Sequence, residues 1–525
     1  MAADAAPLDA LNPNVAWLLW RAAECAGTRP AVIERTGTVT YAALQDRAAA
    51  IAAALGAQGL APGDRVVILL ERGADAVAAY FGTLAAGAVA VLTIDTLTPR
   101  QLDHILPHSG ASYVITTAEL LARQGLTEFG AARLIDVAAI APIEREVQPL
   151  RRVGGDVAQI VYTSGSTGLP KGVTVSHANL WAASRAVVSY LDITSTDRIA
   201  SLLPFSFVYG LSQLLCAASA GASLVVERSP LLGQVVETLR REQVTVLAAI
   251  PSLWTRLLRV PAFRDVPLTT LRVMTNAGGH LPTDVVRALR RAQSGARLYL
   301  MYGLTEALRS TYLPPEEVDR RPDSVGRAIP GAEVAVLRDD GAPAAVGEIG
   351  ELVHRGPTVT LGYWRDPELT ARVFRPNPLR PSGAPDAERV VFSGDLVRAD
   401  AAGFLYFVSR KDRIIKTLGY RVGPDEIVNV LRASGEVAEA VVAGEPDESR
   451  GERIVAYVVL VAGGSVERLR MFCRRELPRY MEPSRFAVRD ALAVLPNGKP
   501  DLAALRASSD VDRCCHATSA VSLEE

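Results

Sequence analysis

Residues Tyr162-Thr-Ser-Gly-Ser-Thr-Gly-Leu-Pro-Lys-Gly-Val173 decide the reading of this 525-residue chain. Seven of these twelve residues are Gly, Ser or Thr, which makes a loop dense in hydroxyls and backbone N–H donors. Before it, Val157-Ala-Gln-Ile-Val-Tyr162 reads as a buried strand, and after it Val173-Thr-Val175 reads as another. A loop between two such strands suits polyphosphate. Its glycines let the backbone approach, its amides and hydroxyls donate, and Lys171 adds a point charge. The candidate contacts are Thr163, Ser164, Gly165, Ser166, Thr167, Gly168 and Lys171. The run is not a Walker A loop, in which Gly-Lys-Ser/Thr opens a helix; here Gly172 and a strand-like run follow the lysine. A flexible Ser/Gly linker is the plain alternative, and linkers are seldom bounded by apolar strands.

Outward from this loop the chain alternates. Tyr41 to Gly56 is Ala-rich and helical, Arg65-Val-Val-Ile-Leu-Leu70 reads as a strand, Asp75 to Ala88 as a helix and Val89-Ala-Val-Leu92 as a strand. Farther on, Ala222-Ser-Leu-Val-Val-Glu227 and Val244-Thr-Val-Leu-Ala-Ala-Ile250 read as strands. Such alternation predicts an α/β protein, with layered, largely parallel sheets and helices in a large N-terminal domain. The Pro-rich stretch Phe374 to Glu388 reads as a surface loop. Near Asp412 the pattern changes to short strands and two helices, a small α+β C-terminal domain. The expected domains are therefore 1–411 and 412–506, with a disordered tail at 507–525.

Composition narrows the classes. An apolar content of 49% permits large cores, and a formal net charge of −1 gives no electrostatic case for nucleic acid or an anionic membrane. Five unevenly spaced cysteines without a C-x-x-C pair point to reduced thiols and a cytoplasmic location. The six histidines are scattered and suggest no metal cluster. No basic leader and no apolar stretch of about 20 residues is present, so neither a secretory signal nor a membrane span is expected. Of 56 Lys plus Arg, only Lys171, Lys411, Lys416 and Lys499 are lysine. A compact ammonium between a carboxylate and a phosphate is not replaceable by a planar guanidinium, which gives these four positions weight.

The phosphate run resembles that of the adenylate-forming superfamily, which includes acyl-CoA synthetases, adenylation domains and luciferases. Further segments follow in the same order. Tyr302-Gly-Leu-Thr-Glu306 resembles the adenine and magnesium motif, and Gly356-Pro357 with Gly362-Tyr-Trp364 a structural segment. Ser393-Gly-Asp395 resembles the ribose motif, and Ser409-Arg-Lys-Asp-Arg-Ile-Ile-Lys416 the hinge region. Gly419-Tyr-Arg-Val422 resembles the loop after the hinge, and Pro496-Asn-Gly-Lys499 the C-terminal lysine loop. The region before residue 100 is less similar, and Met301 stands where several relatives have a polar residue.

The resemblance implies ATP-dependent activation of a carboxylic acid as acyl-AMP, then transfer to a thiol, with ATP and Mg²⁺ required. Lys499 would bridge the two reacting anions, Glu306 would bind Mg²⁺ and Thr305 would touch phosphate. Tyr302 would stack on adenine, while Asp395, joined by Arg410, would accept the ribose hydroxyls. Asp412 is implied as the hinge of a mobile small domain. Its rotation would withdraw Lys499 and bring the thiol-side loop Gly419, Tyr420, Arg421 towards the adenylate.

The segment Pro204-Phe-Ser-Phe-Val-Tyr-Gly-Leu211 aligns with the start of the acyl pocket. Adenylation domains for α-amino acids carry Asp where this chain has Val208, so an ammonium here would be unpaired. A substrate other than an α-amino acid is expected. Phe207, Val208, Tyr209, Gly278, Gly279 and Gly303 are expected to line an apolar slot, with Gly303 leaving room at its end. Arg309 is either a structural arginine or the partner of a polar or acidic substrate group. The chain runs only about 26 residues past Lys499, so no fused carrier domain is expected. Coenzyme A is the favoured acceptor, and a separate acyl carrier protein the alternative. A fatty-acyl-AMP ligase, a luciferase-type oxygenase and a nucleotide-binding paralogue without turnover complete the range.

Overall fold

The computed structural model describes residues 13–97, 99–127, 129–163, 170–381, 383, 388–411, 413, 415–417, 420–447, 450–495 and 499–507. Among the sequence expectations, Ser164, Gly165, Ser166, Thr167, Gly168, Asp412, Gly419 and the tail from 508 lie outside the described residues. The chain forms two compact units. The first comprises residues 1–348, 352–393 and 399–406, and the second 349–351, 394–398 and 407–525. The strands Ile349–Arg355 and Arg389–Ala399 contribute residues to both.

In the first unit, the strands Pro30–Glu34, Ser223–Val226, Arg198–Ser201, Val246–Ala249, Val273–Asn276 and Arg297–Tyr302 lie parallel, side by side. Thr311–Leu313 and Ser324–Ala328 extend them antiparallel. A second sheet runs Gly362–Tyr363, Lys171–Ser176, Val157–Thr163, Val89–Leu92, Arg65–Ile68, Ala111–Thr116, Arg133–Asp136. The strands are short β-branched runs buried along most of their length, as parallel strands covered on both faces must be. The intervening helices are Ala-rich or amphipathic. Tyr41–Ala57 starts where Thr40 Oγ1 accepts from the Ala43 N–H at 3.3 Å, and it packs along Ala74–Ala85. Tyr80, Phe81, Trp254 and Phe263 are fully buried among these layers.

The second unit has its own core of Ile415, Ile427, Leu431, Ile454, Val458, Leu469 and Cys473. Its sheet is built on the hairpin Val437–Asp447 with Gly451–Leu460, flanked by helices Pro424–Ala433 and Val466–Glu476. This is the α+β pattern expected of the C-terminal region. One expectation is corrected: the stretch from Phe374 does not begin as loop. Phe374–Pro376 is a strand paired antiparallel with residues 389–391. Pro376 is tolerated at its end, where no ladder N–H is needed.

Candidate active site

The two strands that flank the Gly/Ser/Thr-rich run pair with each other. Thr163 stands opposite Lys171 and Tyr162 opposite Gly172, in antiparallel register. The second strand begins at Lys171, two residues earlier than its apolar run indicates, because pairing rather than hydrophobicity sets its start. The helix Pro99–Ser109 holds both ends of the run. His104 Nε2 lies 2.9 Å from the Pro170 carbonyl, and His108 Nδ1 lies 2.8 Å from the Tyr162 hydroxyl. The two imidazoles stack with centroids 5.2 Å apart. Burial, together with the His104 and Arg365 charges, pulls the His108 pKa down. The histidines are thus not all scattered: the i, i+4 spacing of His104 and His108 on one helix face is the sequence signal of this pair.

Tyr302 ends the strand Arg297–Tyr302, and a short 3₁₀ turn, Thr305–Ala307, follows. The Tyr302 ring stacks on His354 at 5.9 Å and 20°. Burial holds His354 neutral, with its pKa pushed down to about 3. Glu306 is fixed twice. Its carbonyl accepts from the Thr360 N–H and hydroxyl, each at 2.9 Å, and its carboxylate accepts from the Tyr363 hydroxyl. Residues 356–364 are themselves anchored: Asn179 Nδ2 donates to the carbonyls of Pro357 and Val359 at 2.8 Å, and the Trp364 N–H donates to Gly172 at 2.7 Å. Asn179 closes a capping box with Ser176 at the start of helix His177–Leu191. The segment therefore orients the magnesium candidate, a role for Tyr363 that the sequence reading missed.

The acyl-pocket candidates fall into two groups. Val208 and Arg309 line one narrow cavity with Gln159, Ser184 and Ser212. Tyr209 is buried behind them, its hydroxyl 2.7 Å from both the carbonyl and Oγ1 of Thr275, its ring 4.6 Å beneath the Arg309 guanidinium. Phe207 precedes the helix Val208–Ala220. Gly210 is required there, since a Cβ would lie 1.9 Å from the Pro204 carbonyl oxygen. Gly278, with φ +83°, and Gly279 border Ile250 and Pro251 rather than this cavity. Gly303 does not leave room. A Cβ on it would meet the Leu308 oxygen at 2.9 Å and the Arg309 Cα at 3.2 Å, so its missing side chain admits backbone.

In the second unit, Arg410 Nη1 pairs with the buried Asp395 at 3.1 Å. Burial pushes the nearby Asp425 carboxyl up; Arg413 opposes this and the Asp395 charge adds to it. Lys411 Nζ pairs with Glu351 at 3.2 Å, and Glu351 accepts from the Gly394 N–H at 3.0 Å. Lys499 is exposed. A bridge between Val494 and Pro500 and a 2.7 Å bond from the Leu495 N–H to the Lys499 carbonyl close the backbone around it. Tyr420 and Arg421 lie in the strand Tyr420–Val422. Among the described residues, no group of three or more His, Cys, Asp or Glu is placed to hold a metal, so a magnesium site here would rest on Glu306 and phosphate oxygens. No described helix is long and apolar enough to cross a membrane.

Two family profiles match the chain: "AMP-binding enzyme" over residues 19–364, and "AMP-binding enzyme C-terminal domain" over residues 426–499. The chain belongs to the AMP-binding enzyme family. One of the linear gramicidin synthase subunits of Brevibacillus parabrevis is 33% identical over 90% of this chain, which spans only 9% of that relative's length. The 2-succinylbenzoate–CoA ligase of Geobacillus kaustophilus is 31% identical, with 88% of this chain and 92% of the ligase covered. Among solved structures, ATP-bound MatB from Rhodopseudomonas palustris superposes with a TM-score of 0.85 at 27% identity. It covers 95% of this chain and 99% of its own. The family membership accounts for the order of the motifs from residue 162 to residue 499.

Proposed function

We propose that this protein is an AMP-forming acid–thiol ligase. A carboxylate oxygen of the substrate attacks the α-phosphorus of ATP, and pyrophosphate leaves. A thiol sulfur then attacks the acyl carbon, and AMP leaves with the electron pair of the mixed-anhydride bond. Coenzyme A is the proposed thiol, in line with the CoA ligase among the relatives. Loading of a separate carrier protein is the second reading, favoured by the similarity to a gramicidin synthase.

The observation that carries the proposal is the double fixing of Glu306 by Thr360 and Tyr363 beside Tyr302. An immobilised carboxylate four residues from an aromatic side chain fits a nucleotide with its metal ion. Magnesium, when bound, would neutralise the charge of the departing pyrophosphate. In the proposed roles, Thr305 and Lys171 hold phosphate oxygens, and Asp395 with Arg410 holds the ribose. Lys499 places its ammonium between the attacking carboxylate and the α-phosphate, where charge concentrates in the transition state. Asp412 serves as the hinge, and the loop Gly419 to Arg421 meets the thiol. Val208 disfavours α-amino acids, since an ammonium buried against it without a partner would cost several kcal/mol.

Acid-dependent ATP–pyrophosphate exchange tests the proposal. Exchange with a non-amino acid should fall by at least about 100-fold in Lys499→Ala, the scale of losing one transition-state charge contact. The exposed position should leave the melting temperature unchanged. Exchange that survives the substitution would refute the role of Lys499. Strong exchange with an α-amino acid would refute the reading of Val208.

A further inference from the structure

Arg309 is only 4% exposed, and a guanidinium stays protonated in any protein environment. Its Nε and Nη2 have no hydrogen-bond partner, and among the described residues it makes no ion pair. Among the described residues, those that line its cavities with it carry no charged side chain. Burial pushes Tyr190, Tyr209 and Cys216 upward in pKa, so none supplies an anion at neutral pH. The face of Tyr209 stabilises the cation but accepts no directed hydrogen bond from those nitrogens.

A second donor shares the cavity. Gln159 is 1% exposed; its Oε1 accepts from Tyr80 at 3.0 Å, and its Nε2 has no partner. Arg309 and Gln159 therefore line one space with unused donors, while Leu180, Leu211 and Val208 supply apolar walls. Leu308, just before Arg309, has φ +51° and ψ −67°, a conformation that a branched side chain adopts only under constraint. The chain thus holds the arginine inward against both electrostatic and backbone cost. The space is narrow, and a planar carboxylate matches the two donors that line it.

We propose that Arg309 and Gln159 form an anion subsite in the acyl pocket, and that the activated acid carries a second carboxylate which this subsite holds. The inference rests on the ligase reading above and specifies its substrate class as dicarboxylic acids. The distal carboxylate accepts from the guanidinium and from the Gln159 amide, so the unused donors become a recognition device. An acid lacking that group leaves them unpaired and is rejected for that reason.

The test is ATP–pyrophosphate exchange by the full chain on straight-chain and aryl dicarboxylic acids, each beside its own monoamide. The monoamide keeps the shape and removes the charge. A diacid should exceed its monoamide by about 100-fold in kcat/KM, chiefly through KM. Arg309→Met should erase that difference, Arg309→Lys should keep part of it, and Gln159→Met should reduce it less. Thermal melts identify any variant that has lost its fold, and the diacid–monoamide comparison in the unsubstituted protein stands without variants. Monocarboxylic acids or monoamides exchanging as well as the diacids would overturn the subsite and leave adenylation intact. No exchange with any acid, while equilibrium dialysis still detects ATP binding, would overturn the ligase reading and this inference with it.

Discussion

The hydroxyl of Tyr363 donates to the carboxylate of Glu306 across 57 positions of sequence. A carboxylate that coordinates a metal ion works best when its rotamer is fixed beforehand, and a hydrogen bond from a buried-edge phenol does that. Tyr363 is in turn held by the bond from its own N–H to Thr370 Oγ1 at 2.9 Å and by the edge-on ring of Phe374.

Tyr363→Phe keeps the ring and removes this contact. A hydrogen bond to a charged group contributes about 1.5–3 kcal/mol, so adenylation should slow about 10- to 100-fold with little change in melting temperature. A magnesium titration of the exchange rate should show a higher requirement in the variant. An unchanged requirement would mean that Tyr363 only packs.

His104→Ala frees the Pro170 carbonyl at the end of the proposed phosphate hairpin. One neutral hydrogen bond contributes about 0.5–1.5 kcal/mol, so the KM for ATP should rise about 2- to 10-fold. The KM for the acid should stay constant. Steady-state kinetics with each substrate varied in turn separates the two.

Gly303→Ala should destabilise the first unit by about 1–3 kcal/mol, because the new methyl collides with backbone that has no rotamer to yield. Urea denaturation measures the loss. The backbone that must move carries Arg309, so discrimination between a diacid and its monoamide should shrink as well.

Acid should weaken the fold through two buried histidines. Burial lowers the pKa of His354 to about 3 and that of His177 to about 4, against 6.5 for an exposed imidazole. The unfolded chain binds protons below 6.5 that the folded chain refuses until about 4 or 3. Stability is therefore full above pH 6.5 and falls as pH drops through that window, by about 2 kcal/mol for each histidine between pH 7 and pH 5. His354→Val should remove its share, read as a smaller gap between urea midpoints at the two pH values.

The sequence carried the layered α/β plan because its strands are compact β-branched runs between Ala-rich helices, so Val89–Leu92 was legible to the residue. The two strands around residues 164–169 were legible for the same reason. The strand Phe374–Pro376 was not legible, since three residues that include a proline show no period, and only the partner at 389–391 defines them. Gly303 was misread because a glycine's empty side looks alike in sequence whether ligand or backbone fills it. The role of Tyr363 was not legible because its partner Glu306 lies far along the chain, whereas His104 and His108 did carry a local signal in their i, i+4 spacing. Sequence alone does not distinguish a structural from a substrate-facing Arg309, because its burial depends on residues from 159 to 308 folding around it.

The four lysines have a practical corollary. Amine-directed chemistry meets dozens of equivalent sites on most proteins of this size. Here the sequence holds four lysines, among them Lys171 at the start of a strand, Lys411 held by Glu351 and the exposed Lys499. Labelling of Lys499 should accordingly track inactivation, as its proposed role requires. A column or sensor chip coupled through side-chain amines would hold the protein at these few positions, two of which carry proposed roles, whereas the arginine-covered remainder would stay untouched.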